Sequence, residues 1–168
     1  MADISAKQVN ELRQRTGVGM MKCKDALVKT NGDMEAAVTL LREQGLAAAD
    51  KKANRIAAEG AIAIATVGDV TAMVEVNAET DFVAKNDMFQ EYVADAALVA
   101  LMNKGEVCDM KNFNCPKCGK TFEERLTDMI AKIGENMNLR RAKVLEVNNG
   151  VVASYVHSAL RPNLGRIG

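Results

Sequence analysis

Gly60-Ala61-Ile62-Ala63-Ile64-Ala65-Thr66-Val67-Gly68-Asp69-Val70-Thr71-Ala72-Met73-Val74-Glu75-Val76-Asn77 is the stretch at which the chain changes character. Ile62 and Ile64 alternate with alanine, the two-residue period of a strand with one face buried. Gly68-Asp69 lies between Val67 and Val70, and a two-residue Gly-Asp loop between alternating runs closes a β-hairpin. Residues 71–77 supply the second strand. The segments on either side of this hairpin read as helices, so the chain mixes the two kinds of element.

Toward the N-terminus the pattern is helical. Val9 and Leu12 stand at i, i+3, followed by the break Thr16-Gly17-Val18-Gly19. A second helix is expected over 20–30, stopped by Asn31-Gly32, a left-handed C-terminal signal. Asp33 is a natural N-cap for a third helix. Its apolar stripe is Met34, Ala37, Val38 and Leu41, and Gly45 is expected to end it. Residues 1–45 thus form a three-helix bundle near the lower size limit of independent stability. Residues 46–59, rich in Ala and Lys, read as a helical linker, and 60–168 as an α+β core subdomain.

Toward the C-terminus, Phe89, Val93, Ala96, Ala97 and Ala100 recur at helical spacing, and Gly105 closes that run. Phe122, Leu126, Met129, Ile130 and Ile133 repeat the pattern, with Thr121 and Glu124 as a capping box. Asn149-Gly150 signals a second hairpin between strands ending near Val147 and starting at Val151. Two hairpins and two helices make an α+β layer, with helices on one face of a small antiparallel sheet.

Composition narrows the partners. The 168 residues carry 22 basic and 22 acidic groups. A dedicated polyanion binder needs a cationic excess to displace counterions, so no nucleic-acid partner is expected. The balance is uneven along the chain: residues 61–104 hold two basic and seven acidic groups, with mildly basic segments on both sides. No run approaches the roughly 20 apolar residues that span a bilayer, and no secretory pattern opens the chain. The sequence reads as cytoplasmic, without a membrane partner. Aromatic residues are 4% of the chain, so Ala, Val, Leu, Ile and Met must build the core.

Few residues are arranged for chemistry. Gly17-Val18-Gly19 lacks the third glycine of a dinucleotide fingerprint, that position being Lys22, and no P-loop lysine pattern follows. The sole histidine, His157, has no sequence link to Cys23, so a catalytic pair is not expected. Cys115-Pro116-Lys117-Cys118-Gly119-Lys120 has the spacing of half a zinc ribbon, and Cys108 stands seven residues before Cys115. Two readings stay open: a structural zinc site on Cys108, Cys115 and Cys118, or three reduced thiols in a surface loop. Arg140, Arg141 and Lys143 lack interleaved aromatics and read as the exposed face of a strand.

Thr80-Asp81-Phe82-Val83-Ala84-Lys85-Asn86 joins the second strand to the long helix. In one reading Thr80 or Asp81 caps that helix and Phe82 packs on the face of Phe89. In the other, Asp81 and Phe82 project from the corner as an anchor for a partner. The residues alone leave both open.

This motif resembles the signature of the elongation factor Ts family. So do Leu12-Arg13-Gln14-Arg15-Thr16-Gly17-Val18-Gly19-Met20-Met21-Lys22-Cys23-Lys24, then Ile133-Gly134-Glu135-Asn136 with Arg140-Arg141, then Tyr155-Val156-His157 with Gly165-Arg166-Ile167-Gly168. The blocks fall in the family's order. The resemblance implies a ubiquitin-associated-like bundle that docks on a partner's nucleotide-binding domain, followed by the first half of the family's core. It implies guanine nucleotide exchange on elongation factor Tu, with no bond chemistry, required cofactor or small-molecule substrate of its own. Asp81 and Phe82, flanked by Thr80 and Val83, would intrude near the partner's magnesium and phosphate site. Ile133, Gly134 and His157 would lie in the same contact region. The rival reading is a zinc-stabilised protein-binding module without exchange activity. Residues 107–120 fall outside the resemblance, the 158–164 turn looks longer than usual, and the chain stops at Gly168, where the family continues.

Overall fold

Ser5 starts the first helix by a reciprocal pair of bonds. Its hydroxyl accepts from the Gln8 amide while the Gln8 side chain accepts from the Ser5 amide, a capping box on α1 (Ala6–Thr16). The computed structural model describes residues 4–116 and 118–168; the first three residues and Lys117 of the Cys-x2-Cys turn lie outside these. Gly17, at φ +70°, ends α1, and α2 (Met20–Lys29) follows. Asn31 and Gly32 both adopt positive φ and reverse the chain. Asp33 then accepts from the Ala36 amide at 2.9 Å and opens α3 (Met34–Asp50). Val9, Leu12, Cys23, Ala26, Leu27, Ala37 and Leu41 close a small apolar core of their own.

Gly45 does not end α3, which runs on to Asp50. The glycine serves packing instead: a Cβ at position 45 would stand 3.7 Å from the Ala131 Cβ of α7 (Phe122–Ile133). Residues 46–50, the first part of the stretch expected to be a linker, are the end of α3, and Ala49 packs against the main core. The Arg42–Glu124 ion pair at 2.6 Å fastens the same two helices.

The expected hairpin forms. β1 (Glu59–Val67) and β2 (Val70–Ala78) run antiparallel, with Val67 opposite Val70 and Glu59 opposite Ala78. Alternate residues Ala61, Ala63, Ala65, Ala72, Val74 and Val76 face one core with Phe89, Val93, Ala96, Ala97 and Ala100 of α5 (Asp87–Met102). Alanines on both surfaces share that core with Val74, Val76, Phe89 and Val93. α6 (Val107–Asn112) and α7 complete the helical layer, and Thr121 and Glu124 form the anticipated capping box. Tyr92 and Phe122 meet at 5.3 Å between ring centroids and Phe122 and Phe113 at 6.5 Å, so that with Phe89 of α5 four of the chain's six aromatics lie in this layer.

The second hairpin is not where Asn149-Gly150 suggests. β3 (Met137–Glu146) pairs with β2, and residues 147–156 form no strand. The hairpin is made instead by β4 (His157–Arg161) and β5 (Leu164–Ile167), turning at Asn163 with φ +59°. β5 adds to the open edge of β1, with Ile62 opposite Gly165, giving the order β3-β2-β1-β5-β4. Pairing there buries Leu164 in the main core, a gain that a strand beside β3 would forgo. Gly165 permits the close β4 approach, since a Cβ there would meet Val156 and the His157 carbonyl within 3 Å. The architecture is α+β: three N-terminal helices, then a five-stranded antiparallel sheet packed with helices. Among the described residues, no helix is long and apolar enough to cross a membrane.

Candidate protein-interaction site

At the end of β2 the chain turns a corner rather than entering one long helix. Asp81–Ala84 form a single turn, α4, and Asn86 separately caps α5 by accepting from the Met88 amide at 2.9 Å. The Gln90 side chain donates to the Ala84 carbonyl at 3.0 Å, tying the two helices together. Val83 and Ala84 are buried beneath the corner, while Phe82 stands 77% exposed. Phe82 therefore does not pack beside Phe89, which is fully buried. The alternation between inward Val83 and outward Phe82 removes the core-packing reading and leaves the projecting one.

Thr80 does not cap α4 with its hydroxyl. It donates to the Glu135 carboxylate at 2.9 Å, and its amide donates to the same group at 3.1 Å. Next to it, Glu79 accepts from the Asn136 amide, and the Asn136 side chain donates to the carbonyls of Ala53 and Arg55. Arg55 returns to Glu79 at 3.6 Å. Three segments remote in sequence are thereby locked around the corner: the end of the linker, the end of β2, and the loop after α7. Gly134, at φ +91°, lets α7 stop so that Glu135 faces Thr80.

The electrostatics are local. Lys85 bonds Asp81 at 2.9 Å, and this contact, with the charge of Arg166 adding to it, holds the Asp81 carboxyl below the usual carboxylate range. The Lys85 ammonium lies 5.9 Å from the Phe82 ring centre, a cation–π distance. Arg166 itself pairs with Glu59 at the head of β1. The corner thus offers an exposed ring, a carboxylate and an ammonium on a braced backbone, chemistry suited to recognition rather than bond breaking.

The other anticipated residues divide. Ile133 and Gly134 sit on the α7 end that braces the corner. His157 is exposed on edge strand β4, with Tyr155 Oη 3.0 Å from its Nδ1. It pairs with Ile167 at the same end of the sheet as Gly60 and Asn77, the end from which the corner springs. Cys23 is buried in the N-terminal bundle, where its thiol donates to the Val18 carbonyl. Arg140 and Arg141 both reach Glu75, because a register shift beside Glu75 turns two successive side chains to one carboxylate.

The anticipated zinc ligands stand in unlike surroundings. Cys108 and Cys118 are exposed, and Cys115 is buried with the Arg125 guanidinium 3.5 Å from its sulfur. Among the described residues, no three His, Cys, Asp or Glu side chains gather where one metal ion could be held. Glu79, Glu135 and Asn136 are the braces that sequence reasoning missed. Glu135 and Asn136 belong to a block that carried the family resemblance, but partners more than fifty residues away leave no periodic or capping signal.

A family model described as elongation factor TS matches residues 79–168, which hold the corner, α5 to α7 and strands β3, β4 and β5. Elongation factor Ts of Paramagnetospirillum magneticum is 58% identical over 168 residues, all of this chain and 54% of that protein. Elongation factor Ts of Rhodospirillum rubrum is 54% identical over 169 residues, all of this chain and 55% of its own. That of Sinorhizobium medicae is 53% identical over 165 residues, 98% of this chain. These alignments run through residues 107–120 and the 158–164 turn. The chain spans about half the length of the curated relatives it matches. With the family model covering more than half of its residues, the chain belongs to the elongation factor Ts family of translation elongation factors.

Proposed function

We propose that this chain promotes release of guanine nucleotide from a translation GTPase, elongation factor Tu, by inserting the Asp81-Phe82 corner beside the partner's magnesium and phosphate site. The observation that carries the reading is the 77% exposure of Phe82 on a backbone braced by Glu135. An apolar ring held in water by a rigid support gains free energy when a partner covers it, with little ordering cost left to meet. Asp81 beside it brings negative charge to a place where the partner must hold a cation and phosphate.

Thermodynamic linkage supplies the mechanism. A factor that binds the empty GTPase more tightly than the loaded one must weaken nucleotide binding by the same ratio. The chain then needs no nucleophile, acid or base, and it acts as an exchange factor rather than an enzyme with chemistry of its own. The N-terminal bundle, fastened through α3 to α7, supplies a second contact on the partner's nucleotide-binding domain.

Release of fluorescent GDP from elongation factor Tu, followed by stopped flow with the 168-residue chain, tests this. The wild-type chain accelerates release. Phe82→Ala removes a hot-spot ring worth about 2 kcal/mol, so acceleration at limiting factor falls on the order of 30-fold. Its melting temperature stays near wild type because the ring is outside the core. A variant that releases GDP at the wild-type rate would show that the corner is not the wedge.

A further inference from the structure

We infer that Cys115 and Cys118 form a thiol–disulfide site, a dithiol that is oxidised by a low-molecular-weight disulfide and closes to an intrachain bond. The pair sits at the tip of a short hairpin outside the interaction corner. The Phe122 amide donates to the Phe113 carbonyl at 3.0 Å, and the Cys115 amide to the Lys120 carbonyl at 2.8 Å. Inside that frame the amides of Cys118 and Gly119 both donate to the Cys115 carbonyl, at 3.3 and 2.9 Å. A turn with this bond keeps its first and fourth Cα atoms within about 7 Å, and a disulfide spans Cα separations of about 4.4–6.8 Å. The turn therefore holds the two Cα atoms within reach of the bond.

The two sulfurs have unlike surroundings. Cys118 is exposed and can meet an oxidant; Cys115 is 3% exposed, with Arg125 Nη1 3.5 Å from Sγ. Arg125 also bonds Asp95 at 2.9 Å and lies over the Tyr92 and Phe122 rings, so its guanidinium is fixed in place. Arg125 thereby holds the Cys115 sulfur at a fixed position, and the thiolate is the nucleophile of exchange. No third protein ligand gathers with the pair among the described residues. Two thiols without further ligands suit exchange better than a closed metal site.

In the reaction, the Cys118 thiolate attacks the small disulfide, whose S–S bond breaks and releases one thiolate. The Cys115 thiolate then attacks the Cys118 sulfur of the mixed disulfide and displaces the second. The two cysteines lose two electrons and two protons, and the small disulfide leaves as two thiols. Closure draws the Cys115 sulfur off Arg125.

The test equilibrates the 168-residue chain in reduced and oxidised glutathione at fixed ratios, quenches with acid, alkylates under denaturing conditions and maps the peptides by mass spectrometry. The Cys115/Cys118 peptide should lose both alkylations together in one two-electron transition, with Cys23 and Cys108 still alkylated. Cys115→Ser should instead trap glutathione on Cys118, with the circular dichroism of the folded chain unchanged. A stable glutathione adduct on wild-type Cys118, a Cys108–Cys118 bond, or full alkylation at every ratio would overturn the assignment. So would stoichiometric uptake of zinc ion alone, lost in Cys118→Ser and blocking alkylation of both thiols.

Discussion

Gly60 and Gly68 lie in one hairpin and respond differently to a methyl group. Gly60 has φ +133°, and a Cβ there would fall 2.1 Å from the Val76 carbonyl oxygen and 2.8 Å from the Asn77 Cα. Both obstacles are backbone atoms of the paired strand, which cannot swing aside. Gly60→Ala should cost at least about 2 kcal/mol in urea denaturation, from strain and lost pairing together. Gly68, at φ +58°, has open space around it, so Gly68→Ala should cost only about 1 kcal/mol for the left-handed backbone. Equal losses would mean that the Gly60 contact relaxes. The sequence marks Gly68 because a hairpin turn is local; Gly60 marks itself only once β2 lies beside it. Phe82 is similar. Its place in the motif was legible, but whether it faced water depended on the break at Asn86 that separates α4 from α5.

At the scale of elements, caps were the most legible feature. Asp33, and Thr121 with Glu124, satisfy orphan amides within three residues of themselves, so the signal and the structure share one short stretch. Gly45 misled because a glycine near an expected helix end resembles a C-cap, although it sits inside α3 against α7. Its backbone is not left-handed, and an added Cβ would make ordinary contact with Ala131 at 3.7 Å. Gly45→Ala should therefore stabilise the chain by about 0.5–1 kcal/mol through lower unfolded-state entropy. Gly45→Leu should reverse the sign by forcing α3 from α7. Thermal melts of the two variants check the contrast; destabilisation by alanine would show that the helices are packed more tightly than the contact implies. Asn149-Gly150 misled for a related reason, since a local turn preference of modest size yields to burial of Leu164 on the far edge.

For the molecule as a whole, carboxylates join segments that the chain order separates. Burial pushes the Glu75 carboxyl up, but bonds from Asn77 and Arg141 and the charges of Arg141 and Arg140 together hold it below its usual range. Glu124 is also held low, first by the Thr121 amide of its capping box, with Arg42 across the α3–α7 interface contributing. A group whose folded value is depressed stabilises above its unfolded value and loses that contribution as pH falls through the folded one. The melting temperature should thus be flat near neutrality and fall as pH drops below about 4.3, the unperturbed glutamate value. Glu75→Gln should make that fall shallower. An unchanged acid slope in Glu75→Gln would show that its ion pairs with β3 are not maintained in solution.

The sequence by itself determined the elements whose signals are local: three N-terminal helices, the third with its Asp33 cap, the hairpin at Gly68-Asp69, two amphipathic helices and the corner motif with its family likeness. Periods of two and 3.6 residues and caps of three residues are complete within a short window, so no tertiary contact is needed to read them. Only the tertiary structure decided that β5 joins β1, that α3 runs past Gly45 onto α7, and that Glu135 and Asn136 brace Thr80 and Glu79. Each of these is set by burial or hydrogen bonding between distant segments, whose free energy exists only after the chain has closed the loop between them. The same cause sets the exposed Phe82 and the arginine-backed Cys115: neighbours far along the chain fix what each side chain faces.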